Sequence, residues 1–329
     1  MESLHLVNAL TFVRADGDEV AAFARKDGDR RCMFFEPGRR LCGIHRAGGE
    51  RSLPVTCRMF PRVVLKDARG TFVTLSHYCP TAAAMLLDGY DGPAVVEAPA
   101  SLIPSGALEG LDASDAWPPL LRPDVLMDHA SYALWEQRAL ARLAEPQLTP
   151  AQALEAVGAA TATLMAWSPG TIPLSEAVAQ SFDGTTDRFA AGAEPESSLA
   201  ALVLDSVPVE LLRGTPFTDF RSGAFGADAA IPYAGAIKRW LAARLFGTWI
   251  AYQANSLGAV SLYLRACLSV LHAELSRDGG ASDERGFVEA VRRGDQLIVH
   301  LADSQHLAKM LSGSGFSTRD RDRGLPIRN

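Results

Sequence analysis

Four of the five cysteines in this 329-residue chain fall in one stretch: Cys32, Cys42, Cys57 and Cys79. Cys267 stands alone, far downstream. Thiolates bind soft ions, and four of them can close a tetrahedral zinc site or hold an iron–sulfur cluster. The same stretch is basic. Twelve Lys or Arg and five Asp or Glu lie between Arg25 and Arg69, a local charge of +7 in a chain whose net charge is −6. Nearby cations favour thiolate over thiol and offset the surplus negative charge of four thiolates on a dication. A phosphate-bearing partner is the competing reading of the basic stretch. No interleaving of aromatic and basic residues supports it, so the composition speaks against nucleic acid.

The local elements say how these cysteines would be presented. Pro37-Gly38 is a turn signal between Cys32-Met33-Phe34-Phe35 and Arg40-Leu41-Cys42-Gly43, which predicts a hairpin. Side chains alternate along a strand, so two sulfurs on one face require an odd-length loop or a bulge. Pro54 and Pro61 bracket Cys57 and predict a tight turn around it. Arg62–Lys66 and Thr71–Leu75 predict a second hairpin. Pro80 at a first helical position places Cys79 at the N-cap, where the helix dipole favours an anion. His45 and His77 are candidate further ligands or ordinary packing residues. Cys267, in Ala266-Cys267-Leu268, reads as an inert core residue. The spacing of the four clustered cysteines contains no CxxC. Spacing alone therefore leaves open that they are small core residues too.

The residues around the cysteines add a resemblance. Cys42-Gly43-Ile44-His45-Arg46, Leu53-Pro54-x-x-Cys57-Arg58-x-Phe60-Pro61-Arg62 and Ser76-x-x-Cys79-Pro80-Thr81-Ala82-Ala83 resemble the cysteine-cluster, zinc- or iron-chelating family that includes flagellin lysine-N-methylase. The match covers about residues 20–90, and the Cys57–Pro61 element is its most specific part. The family's CxxCxxxCC-like opening is missing upstream of Cys32. The resemblance implies metal ligation by Cys32, Cys42, Cys57 and Cys79, to Zn or an iron–sulfur cluster. It also raises an enzymatic alternative, a protein lysine N-methyltransferase using S-adenosylmethionine on a protein substrate. A redox or cluster-carrying protein is a third reading. No glycine-rich strand–turn–helix loop for a nucleotide cofactor stands in the sequence, and neither does HExxH, GxSxG, a P-loop or an EF-hand pattern. Asp16-Gly17-Asp18-Glu19 and Asp27-Gly28-Asp29 read as solvated acidic turns rather than hard-cation sites.

The remaining chain sets the frame. It is 48% hydrophobic and 21% charged, a globular balance. The expected class is α+β, with a small irregular β-hairpin cysteine-cluster domain over 1–88 and a Pro/Gly-rich connector over 89–123. A larger all-α domain over 124–312 and a disordered tail over 313–329 complete the division. The helical domain would offer a surface for a protein partner or substrate. Tyr132, Trp135, Ala139 and Leu143 recur at helical spacing. Thr149-Pro150-Ala151-Gln152 is a capping-box start for a helix running to about Trp167. Further helices are predicted over 197–213 and 282–302. The uncharged run between Arg244 and Arg265 contains Gln253 and Asn255 and a break at Asn255-Ser256-Leu257-Gly258. It predicts core helices rather than a membrane span. The first ten residues carry an acid and a histidine without a long apolar run. The expected setting is the cytoplasm, where structural disulfides are disfavoured.

Overall fold

The computed structural model describes residues 10–15, 18–23, 32–39, 41–89, 92–99, 102–103, 110–183, 196–212, 232–277 and 283–313. The class is α+β: short strands dominate the N-terminal part and helices the remainder. The chain divides into two compact units, Met1–Phe60 with Ile103–Ala107, and Pro61–Leu102 with Leu108–Asn329. Cys32, Cys42 and Cys57 belong to the first unit and Cys79 to the second, whereas the sequence suggested one small domain reaching residue 88.

In the first unit, β1 (Leu10–Ala15) and β2 (Asp18–Phe23) pair antiparallel with Ala15 opposite Asp18. The turn residues Asp16 and Gly17 between them, and the Asp27–Asp29 turn, lie outside the described residues. β3 (Phe35–Glu36) and β4 (Leu41–Cys42) form the hairpin expected around Pro37-Gly38. Its register sets Phe35 opposite Cys42 and Glu36 opposite Leu41, a four-residue connection. The odd-length loop required for two sulfurs on one strand face does not form. The turn closes at Arg39, whose N–H donates to the Glu36 carbonyl at 3.2 Å, so the loop reaches past Gly38. Two short helices follow, α1 (Gly43–Gly48) and α2 (Val55–Met59).

The second unit opens with the predicted hairpin of β5 (Arg62–Asp67) and β6 (Gly70–Leu75), in register from Arg62–Leu75 to Asp67–Gly70. α3 (Pro80–Met85) then starts from Cys79 as its N-cap, as the Cys-Pro step predicts. The stretch read as a connector is irregular over 92–99 but carries structure beyond. β7 (Leu111–Ala113) joins the sheet parallel to β5, giving the order β6-β5-β7. β8 (Leu120–Arg122) and β9 (Val125–Leu126) form a small hairpin.

The helices carry the core. Asp128 caps α4 (His129–Ala144) through the Ser131 N–H at 2.8 Å, and the predicted stripe of Tyr132, Trp135, Ala139 and Leu143 is fully buried. The Thr149–Gln152 capping box is formed in both directions at the start of α5 (Pro150–Met165). α6 (Leu174–Asp183) follows, and residues 184–195 lie outside the described set. The helix expected over 197–213 is two: α7 (Glu196–Asp205) and α8 (Val209–Leu212). Pro208 between them lacks the N–H that a continuous helix needs. α9 (Ala234–Leu245), α10 (Ile250–Gln253) and α11 (Leu257–Ser276) resolve the apolar run, with the break at Ala254–Ser256 close to the predicted one. α11 is the central helix: it packs against α5, α7, α9 and α12, and Cys267 on it is 0% exposed. The last predicted helix begins at α12 (Glu284–Asp295), widens into a π-helix over Gln296–Leu301, and is followed by α13 (Ser304–Gly313). Residues 314–329, expected to be a disordered tail, lie outside the described set. Among the described residues no helix is long and apolar enough to cross a membrane.

One ionic clamp ties the hairpin to this helical body. Arg69, in the β5–β6 turn, bonds Asp67 through Nε at 3.0 Å and Nη2 at 2.8 Å, and reaches Glu136 of α4 through Nη1 at 3.1 Å. Its guanidinium lies 4.5 Å from the Phe72 ring centre and 4.8 Å from that of Tyr132. Glu136 also accepts the Gly247 N–H at 3.1 Å. Gly247 holds φ +63, and a Cβ there would sit 3.0 Å from Phe72, so the position needs glycine.

Candidate functional site

Cys32 lies on an exposed turn just before β3, where its carbonyl accepts the Phe35 N–H at 2.9 Å. It lies outside the β3–β4 ladder, which starts at Phe35, so strand parity with Cys42 does not apply to it. Cys42 ends β4, half-buried, and is the N-cap of α1. Gly43 follows because the chain is crowded there: a Cβ would come within 3.1 Å of Glu36 Oε1. Arg46 of the same motif bonds Glu36 at 3.0 Å and holds α1 against the hairpin. That ion pair is largely exposed and adds little stability. Cys57 is exposed in the middle of α2, the tight turn that the flanking prolines predict, while Met59 beside it is 3% exposed and anchors the turn. Cys79 is half-buried at the start of α3. None of the five cysteines is in a disulfide. Burial pushes the Cys267 thiol up to about 12, against the charge of Arg244, in keeping with an inert core residue.

His45 is exposed on α1. His77, by contrast, is 5% exposed and faces Asp295, with Nδ1 4.0 Å from Oδ1. Among the described residues no three His, Cys, Asp or Glu side chains gather closely enough to hold a metal ion.

What the structure does gather is a clamp on the segment that presents Cys79. Asp295, the last residue of α12, is 0% exposed. Its Oδ1 accepts Trp240 Nε1–H at 3.1 Å and lies 3.3 Å from Arg244 Nη1. Its Oδ2 accepts the Ser76 hydroxyl at 3.0 Å and the Tyr78 N–H at 3.2 Å. Arg244 Nη2 donates to the Leu75 carbonyl at 2.7 Å, and Arg292 Nε donates to the Tyr78 carbonyl at 3.1 Å. The Ser76 hydroxyl also meets His300 Nε2 at 2.7 Å. The π-helix explains how Asp295 and His300 reach one serine: residues five apart, which diverge on an α-helix, are brought towards one face by i→i+5 geometry.

The electrostatics decide what this cluster can do. Burial alone would raise the Asp295 carboxyl. The charge of Arg244, the electrostatic influence of His77 and hydrogen bonds from Trp240 and Ser76 outweigh it and hold the group below the usual carboxylate range. An ionised Asp295 accepts the Ser76 O–H hydrogen bond, so His300 must donate to Ser76 through a protonated Nε2. A Ser–His–Asp nucleophile needs the histidine to accept that proton, with the aspartate on the far side of the ring. Ser76 is moreover 1% exposed. The trio is a positioning clamp for the turn leading to Cys79.

Burial pushes His77 down to about 4, helped by Arg244 and opposed by Asp295. His300 shifts in the same direction, chiefly by burial. A histidine lowered on folding takes up its proton more readily when unfolded, so stability falls as pH drops from about 6.5 towards 4 and is flat above. In the metal-free protein His77 is expected to account for about 3 kcal/mol of that loss. Urea unfolding at pH 7 and pH 4.5 checks this: His77→Gln should flatten the difference.

Comparison with known proteins adds no relative: no family model matches the chain, and no curated protein or solved structure does either.

Proposed function

We propose that the chain is a metal-binding protein that holds a zinc ion or an iron–sulfur cluster through Cys32, Cys42, Cys57 and Cys79. One observation supports this reading over packing. Cysteines outside disulfides are among the most buried residue types, and Cys267 behaves that way at 0% exposure. The four clustered ones do not: two are exposed and two half-buried. Reactive, soft side chains kept at the surface within a basic stretch suit ligation better than core filling. The donor chemistry fits the metal, whereas the convergence of three or more donors is absent among the described residues. Ligation would then be coupled to local folding, as in small metallo-domains whose sites form only with the ion.

The test is metal analysis of protein purified without oxygen. About one zinc per chain, or a brown protein carrying iron and sulfide, is expected. Changing Cys32, Cys42, Cys57 or Cys79 to Ser should each remove most of the metal, and Cys267→Ala should leave it in place. Stoichiometry that survives the loss of Cys57 or Cys79 would refute the assignment. Visible absorbance separates a cluster from zinc.

A further inference from the structure

Residues 92–99 of the second unit run between α3 and β7 with neither turn nor bend, and pair with no described strand. Both ends of this run are tied down. A Cβ at Gly92 would sit 2.9 Å from Ala144 Cβ, so the chain enters close against the end of α4. At the exit, the Leu102 N–H donates to the Pro99 carbonyl at 2.9 Å. Between these anchors Ala94, Val95, Val96, Glu97 and Ala98 are all exposed, Val96 at 76% and Val95 at 54%. Their backbone N–H and C=O groups make no hydrogen bond among the described residues. Two adjacent β-branched residues favour a pleated strand, and a strand with a free edge is a template for pairing.

The prolines decide which edge is open. In a strand the N–H and C=O of one residue point to the same side, and the side alternates from residue to residue. Pro93, Val95, Glu97 and Pro99 therefore share one edge, and Ala94, Val96 and Ala98 the other. The first edge lacks a donor at each end, because proline has no N–H, and its Pro99 carbonyl is already used by Leu102. The second edge keeps every donor and acceptor. It is also symmetric about Val96, with Ala94 and Ala98 on either side and Pro93 and Pro99 beyond them. Paired antiparallel with its own copy, Val96 faces Val96 and Ala94 faces Ala98. Glu97 then faces Val95, whereas a register centred on Glu97 would set like charges opposite each other. A two-fold axis through Val96 gives the isologous geometry of most homodimers. We propose that this strand pairs antiparallel with the same strand of a second copy, through the backbone of Ala94, Val96 and Ala98. The contact is small beside the ~1,200 Å² of a stable complex, so the dimer is weak and concentration-dependent. It is separate from the cysteines and does not depend on the metal-binding reading.

Sedimentation equilibrium of the full chain, from about 10 µM to about 1 mM, reads this association. Reductant keeps the exposed Cys32 and Cys57 from cross-linking copies during the run. A reversible monomer–dimer equilibrium is expected. Val96→Pro removes the central donor from each copy and should weaken the dimer at least about tenfold. Val95→Pro removes a donor from the outer edge alone and should leave the dissociation constant within about threefold. Both positions are exposed, so neither change touches the core, and circular dichroism confirms that the variants fold. A chain that stays monomeric throughout would overturn the proposal. So would a dimer that survives Val96→Pro unchanged, or one lost equally in both variants.

Discussion

Asp295→Asn is expected to lower the unfolding free energy by about 3–5 kcal/mol, because it strands Arg244 as a buried cation without its counter-charge. The substitution preserves shape and changes only charge and one acceptor. Trp240, Ser76 and Tyr78 would also lose the carboxylate they donate to. Adding Arg244→Met should recover part of the loss, since an apolar replacement of both partners is often neutral. Urea unfolding of the two variants measures this directly. A loss below about 1 kcal/mol for Asp295→Asn would mean that the clamp does not carry the segment before Cys79.

Arg69→Met should cost a similar amount, about 3–5 kcal/mol at pH 7, by a different route. It leaves two carboxylates, Asp67 and Glu136, each 4% exposed, without their shared cation. In the wild type, burial raises the Glu136 carboxyl despite Arg69. Asp67 is held below the usual range: burial opposes this, but bonds from Arg69 and Tyr252 prevail. Without Arg69 both would rise. A carboxyl raised on folding binds its proton more tightly when folded, so acid favours the folded state. The deficit of Arg69→Met relative to wild type should therefore shrink between pH 7 and pH 5. A deficit that is constant with pH would point to lost packing on Phe72 and Tyr132 instead.

These two clamps mark the limit of what the sequence discloses. Local rules are written locally: the Thr149–Gln152 box, the Cys79–Pro80 start and the Tyr132–Leu143 stripe each span a few residues and form as expected. The β5–β6 hairpin is equally local. Ser76 meets Asp295 and His300 across 219 and 224 positions, and Arg69 meets Glu136 across 67. No periodicity or spacing announces such pairs. The π-helix that aligns Asp295 with His300 reads in sequence as an apolar run, Leu297-Ile298-Val299, which does not tell i→i+5 winding from α-helix. The β3–β4 register depended on two loop residues beyond Pro37-Gly38, which a turn dipeptide does not count. His77 read as a candidate ligand because of its neighbours in sequence, and its neighbour in space is a carboxylate. Whether four sulfurs share an ion is a non-local question of the same kind, which the identity of the residues poses but does not answer.

X-ray absorption at the metal edge of the anaerobically purified protein puts that question most directly. The proposed site predicts a shell of sulfur only, four atoms at ~2.3 Å for zinc. A shell dominated by nitrogen and oxygen, or protein that retains no stoichiometric metal, would contradict it.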